Sequence, residues 1–251
     1  MSARFRRALL PLTAALVVAG CAAPGSVLPV APPAAVSAAP SPGPVPAAAA
    51  VPTATTGGDP GAARQALAQL AALPVKGRAP MTGYSRDAFG PAWADVDRNG
   101  CDTRDDVLAR DLTGVTTKPG THGCVVTSGT LPDPYSGTVI AFTRGQATSA
   151  AVQIDHVVPL GDAWQTGAQA WTADRRRAFA NDPQELLAVA GRLNEQKGDG
   201  DAATWLPPAV GYRCAYVARQ VAVKSAYGLW VTPAEHDALA GVLTGCAAAA
   251  G

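Results

Sequence analysis

Ile154-Asp155-His156-Val157-Val158-Pro159-Leu160 is the stretch on which the fold turns. Val152 to Val158 is rich in β-branched residues and predicts a strand. Near its end stand adjacent Asp155 and His156. Phosphodiester hydrolysis needs a base to activate water and a cation to offset the charge that develops on the phosphate and the leaving oxygen. A histidine supplies the first and a carboxylate holds the second. Alone the dipeptide is weak, because a single histidine is more often structural and Asp-His also serves as a simple hydrogen-bonded pair.

The second half of the pattern follows on Glu185-Leu186-Leu187-Ala188-Val189, which predicts a short buried strand, and Gly191-Arg192-Leu193-Asn194-Glu195-Gln196-Lys197, in which a short helix starts at Arg192. Asn194 and Lys197 are three apart and share a helix face. An amide oxygen is a suitable hard ligand for Mg²⁺, and a lysine meets phosphate as a point charge. The competing reading is a polar surface helix closed by Gly198.

Working outward, Asp59-Pro60 opens a helix to Leu73, with Asp59 as N-cap and Leu67, Leu70 and Leu73 on one face. Tyr84 to Leu112 is polar and rich in Asp. Cys124–Thr127 and Thr138–Phe142 predict strands joined by the turn Pro132-Asp133-Pro134-Tyr135-Ser136-Gly137. Asp162 to Ala180 has a helical pattern broken near Ala170-Trp171-Thr172. A longer helix spans Val210 to Tyr227. The last helix has Thr232 as N-cap, Pro233 at its first position and Glu235 completing a capping box. Trp164, Trp171, Trp205 and Trp230 are expected in the core. No internal repeat is present.

The N-terminus sets three arginines, Arg4, Arg6 and Arg7, before an apolar run from Ala8 to Val18, the pattern of an export signal and too short for a membrane span. Val18-Ala19-Gly20-Cys21 resembles a lipobox with Cys21 as the lipidated residue; the alternative is an ordinary signal with a chance cysteine. Residues 1–20 are therefore expected to be a signal peptide and residues 21–58, almost wholly Ala, Pro, Val, Ser, Thr and Gly, an extended tether. Without the first 20 residues the chain holds 17 Lys+Arg against 19 Asp+Glu, a net charge of −2. Proteins that grip duplex DNA by neutralising many phosphates are basic, so contact with nucleic acid must be local and cation-assisted. Cys101, Cys124, Cys214 and Cys246 lack zinc-ribbon spacing. In an exported chain they are expected as disulfides, and of three pairings the sequence-local one, Cys101–Cys124 and Cys214–Cys246, is preferred over buried free thiols.

From about Tyr84 to Cys246 the chain resembles secreted bacterial proteins bearing the HNH endonuclease domain found at the C-terminus of GmrSD restriction enzymes. The resemblance rests on Phe89-Gly90-Pro91-Ala92-Trp93, Asp97-Arg98-Asn99-Gly100-Cys101-Asp102-Thr103-Arg104, Asp133-Pro134-Tyr135-Ser136-Gly137, the Asp155-His156 stretch, Gly198-Asp199-Gly200-Asp201-Ala202-Ala203-Thr204-Trp205-Leu206-Pro207 and Tyr212-Arg213-Cys214. It implies an α+β fold over residues 59–251. Within it, residues 138–246 would form a ββα-metal (His-Asn-His) nuclease core, with an extra N-terminal β-hairpin region, flanking helices and disulfide staples. It also implies roles: His156 as general base, Asp155 and Asn194 as ligands of a divalent metal (Mg²⁺, with Mn²⁺ or Ca²⁺ as alternates), and Lys197 facing the substrate phosphate. The central Asn of the family pattern falls at Glu185, a departure. Glu has no amide donor, so Glu185 becomes a metal ligand, a structural substitute or a brake on activity, and Asn181 is a second candidate substitute.

Other residues invite chemistry. Asp95, Asp97, Asn99 and Gly100 follow calcium-loop spacing with Asp106 at the twelfth position, against the simpler reading of an Asp/Asn-rich turn. Arg104 and Arg213 are candidate phosphate contacts. Arg175-Arg176-Arg177 is expected to be a solvated helix face, and His122 and His236 to be structural. The expectation is a monomeric, exported, lipid-anchored enzyme acting on DNA; the rival is a catalytically weakened envelope protein that binds or supports.

Overall fold

The structure, a computed structural model, describes residues 59–249. The expected signal peptide, the lipidated Cys21 and the tether lie outside these residues. Seven α-helices and five strands are described: α1 (Pro60–Ala72), α2 (Thr103–Asp111), β1 (Thr113–Thr117), β2 (Val126–Pro132), β3 (Val139–Thr143), β4 (Val152–His156), α3 (Leu160–Gln165), α4 (Ala173–Ala180), β5 (Leu186–Ala190), α5 (Gly191–Lys197), α6 (Arg213–Tyr227) and α7 (Pro233–Ala248). The fold is mixed α+β, with disulfides Cys101–Cys124 and Cys214–Cys246 in the expected pairing. No helix among the described residues is long and apolar enough to cross a membrane.

Strands β1, β2 and β3 form an antiparallel sheet in that order, and β4 pairs antiparallel with β5. Where a hairpin was expected, the first sheet therefore has three strands. Strand β1 is the one that periodicity misses. Its five residues are mostly exposed, include Gly114, and pair with β2 through shifted register, so no apolar alternation marks it.

Strand β5 organises the core. All five residues are buried, which is why it is a continuous apolar run. Leu186 and Ala188 pack with Val107, Leu108 and Leu112 from α2 and its end, with Val126, Leu131 and Phe142 of the three-stranded sheet, and with Val152 and Ile154 of β4. Leu187 and Val189 face the opposite layer, made by α1, α6 and α7 through Leu70, Val217, Val221, Leu239 and Leu243. A third cluster, Phe89, Leu160, Trp164, Phe179, Val223 and Tyr227, fills the long excursion between β4 and β5. The hydrophobic core draws on residues from Ala63 onward.

A strand buried on both faces must satisfy its free edge without water. Side chains do this for β5. Asp111 Oδ2 accepts from Ala188 N at 2.8 Å and Asp133 Oδ1 from Ala190 N at 2.9 Å. Arg110 donates to Leu186 O at 2.7 Å and Arg219 to the same carbonyl at 2.9 Å.

Candidate active site

Strand β4 delivers Asp155 and His156 to a buried strand end, and the strand period of two sends them to different surroundings. Asp155 lies on the side of Gln153 and α5. Its carboxylate accepts from Tyr135 Oη and, at 2.9 Å, from Lys197 Nζ. Lys197 also donates to the backbone carbonyl of His156 at 2.7 Å, and its side chain is 0% exposed. Lys197 therefore turns inward as the counter-ion of Asp155, where the sequence suggested a group facing a phosphate. Tyr135 is a site residue that sequence reasoning missed. Burial and then the Asp155 charge push its hydroxyl well above the usual range, so it stays a donor. The Asp133-Pro134-Tyr135-Ser136-Gly137 turn was legible; its tyrosine was not, because only the fold shows what the ring reaches. Asp133 holds that turn by accepting from Ser136 N at 2.9 Å while also gripping Ala190 at the end of β5.

The His156 ring makes its contacts elsewhere. Nε2 lies 3.0 Å from the carbonyl of Ala180, at the end of α4. A carbonyl only accepts, so Nε2 carries the hydrogen and Nδ1 is the basic nitrogen. Burial pushes the imidazole down to about 3, opposed by the Ala180 bond and reinforced by Arg86 and Lys197, so the ring is neutral near pH 7. The Trp93 indole lies nearly parallel to it, with centroids 6.4 Å apart and planes 14° apart.

Helix α5 follows β5 without a linker, because Gly191 admits an approach that no side chain would: a Cβ there would lie 2.0 Å from Ala150 O. This junction sets Asn194 beside β4, where its amide donates to Gln153 Oε1 at 2.9 Å; Gln153 in turn donates to Glu195 Oε1 at 2.9 Å. The Asn194 side-chain oxygen is left without a protein donor among the described residues. Gln153 and Asp155 share one face of β4, and Asn194 reaches that face at Gln153.

Glu185 stands just before β5, fully buried. Its carboxylate accepts from Val158 N at 3.0 Å and 3.1 Å, and its own carbonyl accepts from Val157 N at 2.9 Å. It braces the backbone that follows His156. Asn181, the other candidate substitute, accepts from Ala94 N at 2.9 Å and donates to Arg177 O at 2.9 Å.

Other candidates lie apart or are committed elsewhere. Arg104 packs over the Phe142 ring at 5.8 Å. Arg213 donates to Pro207 O at 2.8 Å. Two members of the arginine run hold backbone carbonyls, Arg175 that of Tyr227 at 2.7 Å and Arg176 those of Ala88 and Trp171 at 2.7 Å and 2.5 Å. Asp95, Asp97, Asn99 and Asp106 converge, with the Asn99 amide donating to Asp97 at 3.1 Å and to Asp106 at 3.0 Å, so the loop closes on its own hydrogen bonds. Buried Asp162, Asp201 and Glu235 bring carboxylate oxygens within 4.8 Å of one another. That cluster already holds two cations: Lys224 Nζ lies 2.8 Å from Asp162 and 2.6 Å from Glu235, and Arg78 lies 2.6 Å from Asp201.

A buried Asp-His pair at a strand end, closed by a second strand and the helix that leaves it, is the centre of this fold. The chain belongs to the family "GmrSD restriction endonucleases, C-terminal domain", which matches residues 102–242; the family is nuclease-related. The chain is also similar to a protein described as "Uncharacterized secreted protein" from Arthroderma benhamiae, with 41% identity over 187 residues, 73% of this chain and 86% of that protein. That relative is fungal, so a bacterial source is not a feature common to these proteins. No solved structure gives a significant match.

Proposed function

We propose that the chain is an exported endonuclease of the His-Asn-His type that hydrolyses phosphodiester bonds of DNA with His156 as general base. The observation that carries this reading is the ordered strand, strand and helix that bear Asp155, His156, Asn194 and Lys197, with Lys197 on the Asp155 carboxylate and Asn194 on Gln153 of the same strand, within a segment that the nuclease family matches. Nδ1 of neutral His156 takes a proton from water. Its low value belongs to the site without substrate; an anionic phosphate beside the ring favours the imidazolium and moves it up toward the working range.

The donors fit a hard divalent cation of the Mg²⁺ class. Asp155 retains unused lone pairs beside its two hydrogen bonds, and the Asn194 side-chain oxygen has no protein donor among the described residues. When bound, such a cation stabilises the charge that develops on the leaving oxygen. Tyr135 and Lys197 keep Asp155 oriented, and Glu185 holds the backbone after His156. Export is supported by the arginine-led apolar N-terminus, the two disulfides and the secreted relative; attachment through lipidated Cys21 rests on the lipobox alone.

One observation favours a second reading, a binding module of the cell envelope: Lys197 already occupies the Asp155 carboxylate. Plasmid cleavage by the purified chain with Mg²⁺, Mn²⁺, Ca²⁺ or Zn²⁺, and with EDTA, separates the two. Cutting that EDTA stops supports the nuclease; no cutting with any of the four ions supports the module.

A further inference from the structure

His156 is bordered by a segment that lies before the family-matched residues. Arg86–Phe89 forms a single 3-10 turn, and the chain then runs through Gly90, Pro91 and Ala92 to Trp93. The segment is fastened at both ends. Phe89 is buried between Trp164 and Phe179, and Ala88 O accepts from Arg176 at 2.7 Å. Beyond Trp93, Ala94 donates to Asn181 and accepts from Thr103 Oγ1. Trp93 between these anchors has φ 59°, a left-handed backbone that a residue with a side chain rarely adopts. The result of that strained backbone is an indole nearly parallel to the imidazole. Asn181 fixes the strap and its neighbour Ala180 fixes His156, so one helix end registers both rings.

Trp93 is only half-buried, and Arg86 is exposed, with no ion pair among the described residues. Arg86 opens the 3-10 turn that leads, through buried Phe89, to Trp93. An exposed arginine and a part-exposed indole at one centre suit a phosphate next to an unstacked base. The near-neutral charge of the chain is compatible with this, because phosphate neutralisation by the chain itself supplies little affinity and a base stack adds to it without charge.

We propose that residues 86–93 form a substrate strap, in which Trp93 stacks an unpaired nucleobase of single-stranded nucleic acid and Arg86 meets the adjoining phosphate beside His156. The proposal deepens the nuclease reading and rests on it for the identity of the substrate.

The test is equilibrium binding, in EDTA, of labelled DNA and RNA single strands and of the matching duplex to the full chain. Trp93→Ala is expected to weaken single-strand binding about tenfold, the loss of one base–aromatic stack, and to change duplex binding less than about twofold. Trp93→Phe recovers part of the loss. Arg86→Ala weakens both ligands and lowers the salt slope by about one. Unchanged single-strand binding by Trp93→Ala, or equal losses on single strand and duplex, overturns the strap. If Trp93→Ala does not fold, Trp93→Phe decides: a selective few-fold loss on single strands supports the strap, and no selective loss overturns it. Wild-type chain that binds single strands through Trp93 but cuts nothing removes the nuclease reading and leaves the strap standing. Chain that cuts with no dependence on Trp93 does the reverse.

Discussion

Glu185 stands where the sequence resemblance leads one to expect an asparagine, and its contacts show what the side chain does here. It accepts the Val158 amide hydrogen and so holds the chain just past His156. Burial pushes its carboxyl well above the usual range. A raised carboxyl contributes stability below its unfolded value, and that contribution is lost as pH rises through the folded value. Glu185→Gln keeps the acceptor and cannot ionise, so its Tm is expected to gain on wild type as pH is raised from 5 to 9 in calorimetric scans; a constant difference contradicts the assignment. Glu185→Ala leaves Val158 N unpaired and is expected to lose about 1–3 kcal/mol in urea unfolding. His156 carries an equally direct expectation. Its imidazole nitrogens, followed by NMR in the free protein, should stay neutral from pH 8 down to about 4, and titration near the ordinary histidine value of about 6.5 would contradict the burial described.

Among the elements, β4, β5 and α5 were legible to within a residue or two, because a β-branched run, an apolar run and an Asn-x-x-Lys helix each carry their own period. Helix α7 was legible from its caps alone: Thr232 accepts from Glu235 N and Glu235 accepts from Thr232 N. Helix α2 was not read, although Asp102 caps it by accepting from Asp105 N at 2.8 Å; its charged sequence hides the Val107-Leu108 stripe that packs on β5. Nor does sequence reveal that Lys197 points inward or that Arg175 and Arg176 hold carbonyls, since long side chains choose their direction by tertiary contact. The β5–α5 junction gives the sharpest expectation at this level. Gly191→Ala drives a Cβ into Ala150 O and should lower stability by about 1–3 kcal/mol in denaturant titration, with loss of activity even where the chain stays folded.

The molecule as a whole is held by features that the chemistry does not use. Lys224, fully buried, neutralises Asp162 and Glu235 and so joins α6, α3 and the start of α7. Lys224→Met leaves Glu235 without its cation and Asp162 with Arg78 alone, at 3.3 Å, and is expected to cost about 3–5 kcal/mol by urea unfolding. The Cys214–Cys246 bridge closes a separation of 32 residues between α6 and α7, and its removal by paired serine substitutions should cost about 3–4 kcal/mol in the same measurement. Around this frame the Asp155-His156 strand end is buried, which is compatible with the proposed role of His156 as a base. The decisive measurement is therefore cleavage of DNA by wild-type and His156→Ala protein side by side with Mg²⁺, with unfolding curves recorded on both. The expected result is metal-dependent cutting by wild type and none by a variant that still folds; full activity in folded His156→Ala would contradict the catalytic role given to this residue.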